Sequence, residues 1–312
     1  MRLLRHSLLL LLLLPLASCQ RVRENSFQAE IFPSPSAQPP VLTVHITATD
    51  TLETMDIETY LLGVVAGEMP NHWPLEALKA QAILARTFVL KFITEKESIY
   101  PGADISTDIA EAQAYNAAAV NNRVRSAVQE TAGLILLTED NTLPYTWFHS
   151  HSGGMTETAR DGIDWQGEEP TYISVAEGME SADAPENVKA WTAAFTRDEF
   201  IAACRDAGAS VATCETIVIG QKGESGRAVT LLVDGATVNA ARLRISLGSA
   251  KMRSTLLTDI RVDADSVTLS GHGYGHGVGM SQWGAYALAL EGWSASEIAL
   301  HYYNRLRLVK AW

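Results

Sequence analysis

An α+β fold is predicted by three features of this 312-residue sequence. Residues 41–48, VLTVHITA, alternate apolar and polar side chains with the two-residue period of a strand. Residues 56–92 instead space their apolar side chains at helical intervals. From residue 216 onward, short strands and short helices follow one another without strand–helix–strand repetition, which argues against a parallel sheet. Mixed helices and antiparallel strands are therefore expected, in one domain over 41–312 with its own core.

The chain opens with MRLLRHSLLLLLLLPLASC, in which two arginines precede a leucine block and the small-residue run Leu16, Ala17, Ser18. This pattern reads as a secretory signal over 1–18, with an apolar block too short for a comfortable membrane span. Cys19 directly after Leu-Ala-Ser resembles a bacterial lipobox, so Cys19 is the expected lipidation site and new N-terminus. Acyl chains there would anchor an exported protein to a bacterial membrane. With Gln20 following, the expectation in a host with two membranes is the outer membrane, facing the periplasm. Residues 19–40 include IFPSPSAQPP and read as a polar, proline-rich spacer.

Twenty-four basic residues face 36 acidic ones, a net charge of −12. The leader removes Arg2 and Arg5 and no acid, so the mature chain is more acidic still. Nucleic acid is excluded as a partner and a polyanion is disfavoured, whereas a largely neutral glycan is not. Beyond Cys19 only Cys204 and Cys214 remain, and in an exported protein a local disulfide closing CRDAGASVATC is the expected state.

Taken in order, the elements follow from local chemistry. Asp56 is a good N-cap for a helix through Leu61, Leu62, Val64 and Val65, which Met69-Pro70 breaks. Pro74 opens a second helix whose Leu75, Leu78, Ala82, Ala85, Val89 and Phe92 line one face. Residues 100–119 are loop-like, an amphipathic helix spans 124–132, and Gly133 ends it. LILLTEDNTLPYTWFHS reads as a hairpin turning at 139–141, with 145–149 returning. Residues 161–194, rich in Asp, Glu, Gly and Pro, read as a long functional loop holding Trp165, Tyr172 and Trp191. Residues 196–207 form a capped helix. ETIVIG and GRAVTLLVDG are strands, NAARLRISLG is a short helix, and IRVDADSVTLSG is a strand pair around 263–265.

Glu68 is the leading chemical candidate. It ends an apolar helix between Gly67 and Pro70, where partial burial would raise its pKa and keep it protonated enough to act as an acid near neutral pH. The alternative is an ordinary solvated glutamate at a helix C-terminus. Arg86 on the second helix is a potential ion-pair partner that would oppose acid catalysis. The run GHGYGHGVGMSQ, at 271–282, follows a strand and precedes a helix. It resembles a phosphate loop only superficially, because the required context is missing, and nucleotide binding is rejected. Its alternating glycines allow close backbone approach. Three readings stay open for His272 and His276: glycan contact or support of Glu68, metal ligation with His149 and His151, and structural burial.

These motifs together resemble the sporulation stage II protein D family, also called the SpoIID/LytB or amidase-enhancer family. The blocks are YLLGVVAGEMP, EALKAQAILARTF, AQAYN, HSHSGGMTE, LRISLGSAKMRST, GHGYGHGVGMSQWGAYALALEG and EIALHYY, spread in order over nearly the whole mature chain. The resemblance implies a SpoIID-like domain around a glycan-binding groove. It also implies a peptidoglycan lytic transglycosylase that cleaves MurNAc–GlcNAc bonds, leaves 1,6-anhydroMurNAc ends and acts on peptide-denuded strands. Glu68 is then the catalytic acid and base, with no cofactor and no metal, since no cysteine lies near His149 or His151. The substrate contacts expected are His149, Ser152, Gly153, Gly154, Thr156, His276, Ser281 and Gln282. The alternative is a non-catalytic glycan-binding enhancer of a cell-wall amidase. Partners implied are peptidoglycan strands, a cell-wall amidase and, through the lipid, a membrane.

Overall fold

A computed structural model describes residues 38–312 together with the two-residue strand Glu30–Ile31. The signal peptide, Cys19 and the rest of the spacer lie outside the described residues. Among those described, no helix is long and apolar enough to cross a membrane.

The predicted pair of helices is present. Asp56 accepts the Thr59 N–H and caps α1, Ile57–Glu68, whose apolar side chains are almost all buried. Each such side chain contributes about 1.5–3 kcal/mol relative to exposure. Pro74 stands at the N-cap of α2, Leu75–Glu95, and the face read from periodicity packs into the core. The third predicted helix is α3, Asn122–Glu130. Two later helices, Gln282–Leu290 and Ala295–Tyr302, complete this helical core. Val41–Ile46 pairs antiparallel with Thr51–Asp56 and parallel with Ile105–Ser106 along its flank.

Arg86 is fully buried, and it does not reach Glu68. Its guanidinium forks onto Glu58 near the start of α1, at 2.6 and 2.9 Å, and donates to the Leu134 carbonyl at 3.0 Å. Glu58 also accepts from Gly133 N–H and from the Trp312 indole, so one carboxylate ties α1 and α2 to the chain's end. A buried guanidinium requires such a partner, because an unpaired one would cost several kcal/mol.

A second core is built from residues 191–269. The predicted strand pair Leu257–Val262 and Ser266–His272 is antiparallel, and Ala190–Thr196 adds to its free edge. Thr196 caps the helix Arg197–Asp206 with a full capping box to Glu199. Ile217–Lys222, Ala228–Val233 and Ala236–Asn239 form an antiparallel meander, followed by the helix Ala240–Ser246. Polar contacts join the two cores: Ser225 Oγ donates to Glu157, and Arg227 donates to the Met155 and Ser152 carbonyls.

Three expectations are corrected. Leu134–Thr138 does not form a hairpin with 145–149. Its antiparallel partner is the C-terminal strand Leu306–Lys310, and only Phe148–His149 is extended, in parallel with Met280–Ser281. The whole length of Leu134–Thr138 is taken up by the C-terminal strand on one side, and Pro144, immediately before the expected returning strand, has no N–H with which to begin a ladder. The stretch 161–194 is not one loop, for its end is the strand Ala190–Thr196, and Trp191 is buried. Cys204 and Cys214 are free thiols buried in the second core. Asp234 already fixes the loop that a disulfide would have closed, accepting from Thr213 Oγ and from the N–H groups of Glu215 and Thr216.

Candidate active site

Glu68 is positioned by the flatness of α1. A Cβ at Gly67 would lie 2.7 Å from the Ala114 carbonyl carbon and the Tyr115 nitrogen, and one at Gly63 would enter the Tyr115 ring. The absence of side chains at these two positions lets the 112–116 loop lie directly on the helix. Asn116 N–H then donates to the Gly63 carbonyl, and Ala114 N–H to Glu68 Oε1 at 2.7 Å.

The second wall is the glycine-rich run. Its backbone pairs with the 147–157 stretch through reciprocal bonds between His151 and Tyr274 and through Glu157 N–H to the Gly277 carbonyl. Gly279, at φ +70°, passes so close to the Trp147 carbonyl that any Cβ would overlap it. The run then turns into the helix Gln282–Leu290, capped by Ser281, and Gln282 is its first residue. The Gln282 amide is shared between Glu68 Oε2 and Gln81 Oε1, at 3.4 Å from each.

These walls enclose an open pocket of 350 Å³ lined by Glu68, Gln113, Trp147, His149, Tyr274, His276 and Gln282 among others. Glu68 is the one carboxylate lining it among the described residues. Burial pushes its pKa up to about 7, against the opposing pull of the Ala114 N–H and the Gln282 amide. A group so placed holds a proton near neutrality and can both give and take one.

The histidines are held neutral. His149 lies well below the usual imidazole range because it is buried, with the charges of His276 and Arg227 adding to the effect. Its Nδ1 is 3.2 Å from the Val278 carbonyl, so Nδ1 bears the hydrogen and Nε2 is a bare acceptor. Burial, reinforced by Arg244 and Arg227, pushes His276 down to about 3. His276 Nδ1 accepts the Val278 N–H at 3.0 Å, and its ring lies 5.6 Å from that of His149.

Among the described residues, two polar groups in the pocket are buried without protein partners. His149 Nε2 has none, and neither does either end of the Gln113 amide, on a side chain that is 2% exposed. An unsatisfied buried amide costs on the order of 1–3 kcal/mol. In an open pocket such groups are met by water or by a ligand.

Of the expected contacts, His149, His276 and Gln282 meet Glu68 in the pocket; the others do not line it. Ser152 and Ser281 are fully buried, and the Ser152 N–H and Ser281 Oγ both donate to Glu180 Oε1, at 2.6 and 2.8 Å. Thr156 Oγ1 is engaged by the carbonyls of Ser174 and Ala176. Gly153 and Gly154 spend their N–H groups on His151 Nδ1 and Ser152 Oγ. His151 faces Glu180 at 3.5 Å, and His272 is exposed beside the Lys189 carbonyl. Among the described residues no cluster of three or more His, Cys, Asp or Glu has the geometry to hold a metal ion. Gln113 escaped sequence reasoning, although it lies inside the AQAYN block. Glu180, which organises the hydroxyls, sits in an acid-rich stretch where nothing distinguished it. Trp165 packs edge-on against Tyr145 and Trp147, leaving Trp147 as the tryptophan in the pocket wall.

Comparison with known proteins gives matches over most of the chain. A family model described as SpoIID, Stage II sporulation protein, matches residues 46–137. The chain is 30% identical over 256 residues to an uncharacterized protein of Brachyspira hyodysenteriae, spanning 82% of this chain and 67% of that one. It is 28% identical over 295 residues to the stage II sporulation protein D of Bacillus subtilis, covering 88% of this chain and 80% of the relative. It is also 28% identical over 289 residues to the amidase enhancer of Bacillus subtilis, over 78% of this chain but 39% of that longer protein.

Proposed function

This chain belongs to the stage II sporulation protein D family, and from that premise we propose that it is a peptidoglycan lytic transglycosylase with Glu68 as its acid and base. The observation that carries the reading is a carboxyl with its pKa pushed up to about 7, the one carboxyl among the described residues in an open pocket whose walls also hold the His149 and Gln113 polar groups. Hydrolysis of a glycosidic bond ordinarily uses two carboxyl groups flanking it. One carboxyl suffices when the nucleophile is the substrate's own hydroxyl.

In this scheme Glu68 gives its proton to the glycosidic oxygen as the bond from C1 of N-acetylmuramic acid to that oxygen breaks. The muramyl 6-hydroxyl then bonds to C1 and returns its proton to Glu68, leaving a 1,6-anhydro end and a regenerated acid. Ala114 N–H and the Gln282 amide hold the carboxylate in place between the two transfers. His149 Nε2 accepts a hydrogen bond from the sugar, and the Gln113 amide pairs with a substrate group such as an acetamide. Cys19, once lipidated, tethers the enzyme to the membrane from which it works.

Purified sacculi, with and without prior amidase treatment, should release fragments with anhydromuramyl ends detectable by mass spectrometry. Glu68→Gln should abolish them while the protein remains folded. No such ends from either preparation would overturn the proposal. The amidase-enhancer relative supports a second reading, a glycan-binding partner that stimulates an amidase. That reading predicts sacculus binding and amidase stimulation that survive Glu68→Gln.

A further inference from the structure

Tyr274 has two neighbours of consequence. It lines the Glu68 pocket, and the guanidinium carbon of Arg253 stands over its ring, 5.1 Å from the centroid. Arg253 in turn lines a second open cavity of 430 Å³, together with Trp191, Thr192 and Lys251. The two cavities adjoin through this stack, and Gly275, in the wall of the first, donates its N–H to the Arg253 carbonyl at 2.8 Å.

The second cavity has a cationic wall in which, among the described residues, Arg253 holds no carboxylate, while Lys251 feels the charge of Glu199 without forming an ion pair with it. Arg253 Nη1 donates to the Asn187 carbonyl and Nε to that of Ala250, both uncharged acceptors. Arg244, 8% exposed, lies behind it and donates through Nε to the Arg253 carbonyl at 3.0 Å. Among the described residues no carboxylate lies within ion-pairing distance of Arg244, Lys251 or Arg253. By contrast Arg86, Arg197 and Arg242 each hold one. In a chain with a net charge of −12, anions are repelled over most of the surface, so a recess walled by an arginine that holds no carboxylate is a local exception. A planar guanidinium held by backbone carbonyls and stacked on an aromatic ring is preorganised to receive a carboxylate.

We propose that this second cavity is a subsite for a carboxylate carried by the glycan, bound by Arg253 and Lys251 while Tyr274 supports the sugar between it and Glu68. The inference rests on the transglycosylase reading for its ligand. A muramyl strand offers carboxylates from two sources. The 3-O-lactyl group is a free carboxylate where the stem peptide has been removed and an amide where the peptide remains. The peptide brings acidic groups of its own.

The test uses three strand preparations: peptide-free, peptide-free with carboxylates converted to methylamides, and peptide-bearing. Binding is read by co-sedimentation with the Glu68→Gln protein, and cleavage by anhydro-end release with the chain bearing Glu68. The peptide-free strand should bind about tenfold more tightly than its methylamide, with the difference in KM and little change in kcat. Arg253→Gln should remove the discrimination, Lys251→Gln should weaken it, and Arg253→Lys should restore part of it. Tightest binding to peptide-bearing strands, lost in Arg253→Gln, would support the subsite and assign the carboxylate to the peptide. Equal binding of charged and methylamidated strands by the parent protein, or discrimination that persists in Arg253→Gln, would overturn the proposal. The first of these comparisons needs no Arg253 variant to fold. Cleavage without charge discrimination leaves the transglycosylase reading standing; charge-dependent binding without cleavage leaves the subsite standing.

Discussion

Replacing Glu68 by Gln should stabilise the folded chain at alkaline pH and leave it unchanged in acid. Burial holds the Glu68 carboxyl at about 7 rather than the usual 4.5, and the Ala114 N–H and the Gln282 amide offset only part of that effect. Below the unfolded value the group is protonated in both states and costs nothing. As pH rises past it, the unfolded chain releases the proton while the folded chain retains it, and stability falls by about 1.4 kcal/mol per pH unit. The loss stops growing near the folded value, at a total on the order of 3 kcal/mol. Glutamine has no such proton to lose, and its carbonyl can still accept the Ala114 N–H. For a chain of this size the difference corresponds to roughly 5–10 °C in Tm. Thermal melts followed by circular dichroism should therefore coincide at about pH 4 and separate at about pH 8, with Glu68→Gln the more stable. Equal melting at the higher pH, or the same gain at both, would refute the claim that the carboxyl sits in a niche that penalises its charge.

Three further outcomes follow from contacts already described. Gln282→Leu removes a donor that holds the Glu68 pKa down, so the alkaline limb of the cleavage profile should move to higher pH; a limb that stayed put would deny Gln282 that role. Gly67→Ala should destabilise by about 1–3 kcal/mol, although helix propensity alone would favour alanine by about 1 kcal/mol, because its Cβ meets the Ala114 backbone. Denaturant titration reads the sign, and a net gain would show that the loop yields easily. Burial pushes the Cys204 thiol up to about 12, with the charge of Cys214 adding to it, so both cysteines should resist alkylation in the native protein and react after unfolding. A disulfide found by mass spectrometry in the non-reduced protein would contradict the free-thiol state.

The helices around Glu68 were legible because their signals are local: Asp56 caps one, Pro74 opens the other, and the buried face repeats at helical spacing. The strand at Leu134–Thr138 was legible as a strand and not as a pairing, because its partner lies at the opposite end of the sequence, at Leu306–Lys310. The cysteine spacing described a loop and carried no information about where the sulphurs sit inside a core. Site residues divided along the same line. Gln282 and His149 stand in recognisable blocks and reach the pocket, whereas Ser152, Thr156 and Ser281 looked like ligands only because sequence does not reveal that a hydroxyl is already engaged. Gln113 is the converse case: its burial in the pocket wall comes from the fold of the 112–116 loop on α1, which its neighbours in the chain do not announce.

The grouping of residues 191–269 into a core of their own, which lies in the sequence between Glu68 and the glycine-rich run, bears on the order of assembly during synthesis. Glu68 leaves the ribosome early, yet the amide that completes its grip, from Gln282, is made only after that whole unit has been translated. A chain cut short anywhere in between would carry the acid without the far side of its cradle. The pocket around Glu68 is therefore closed late, when the last fifth of the polypeptide docks onto the first third.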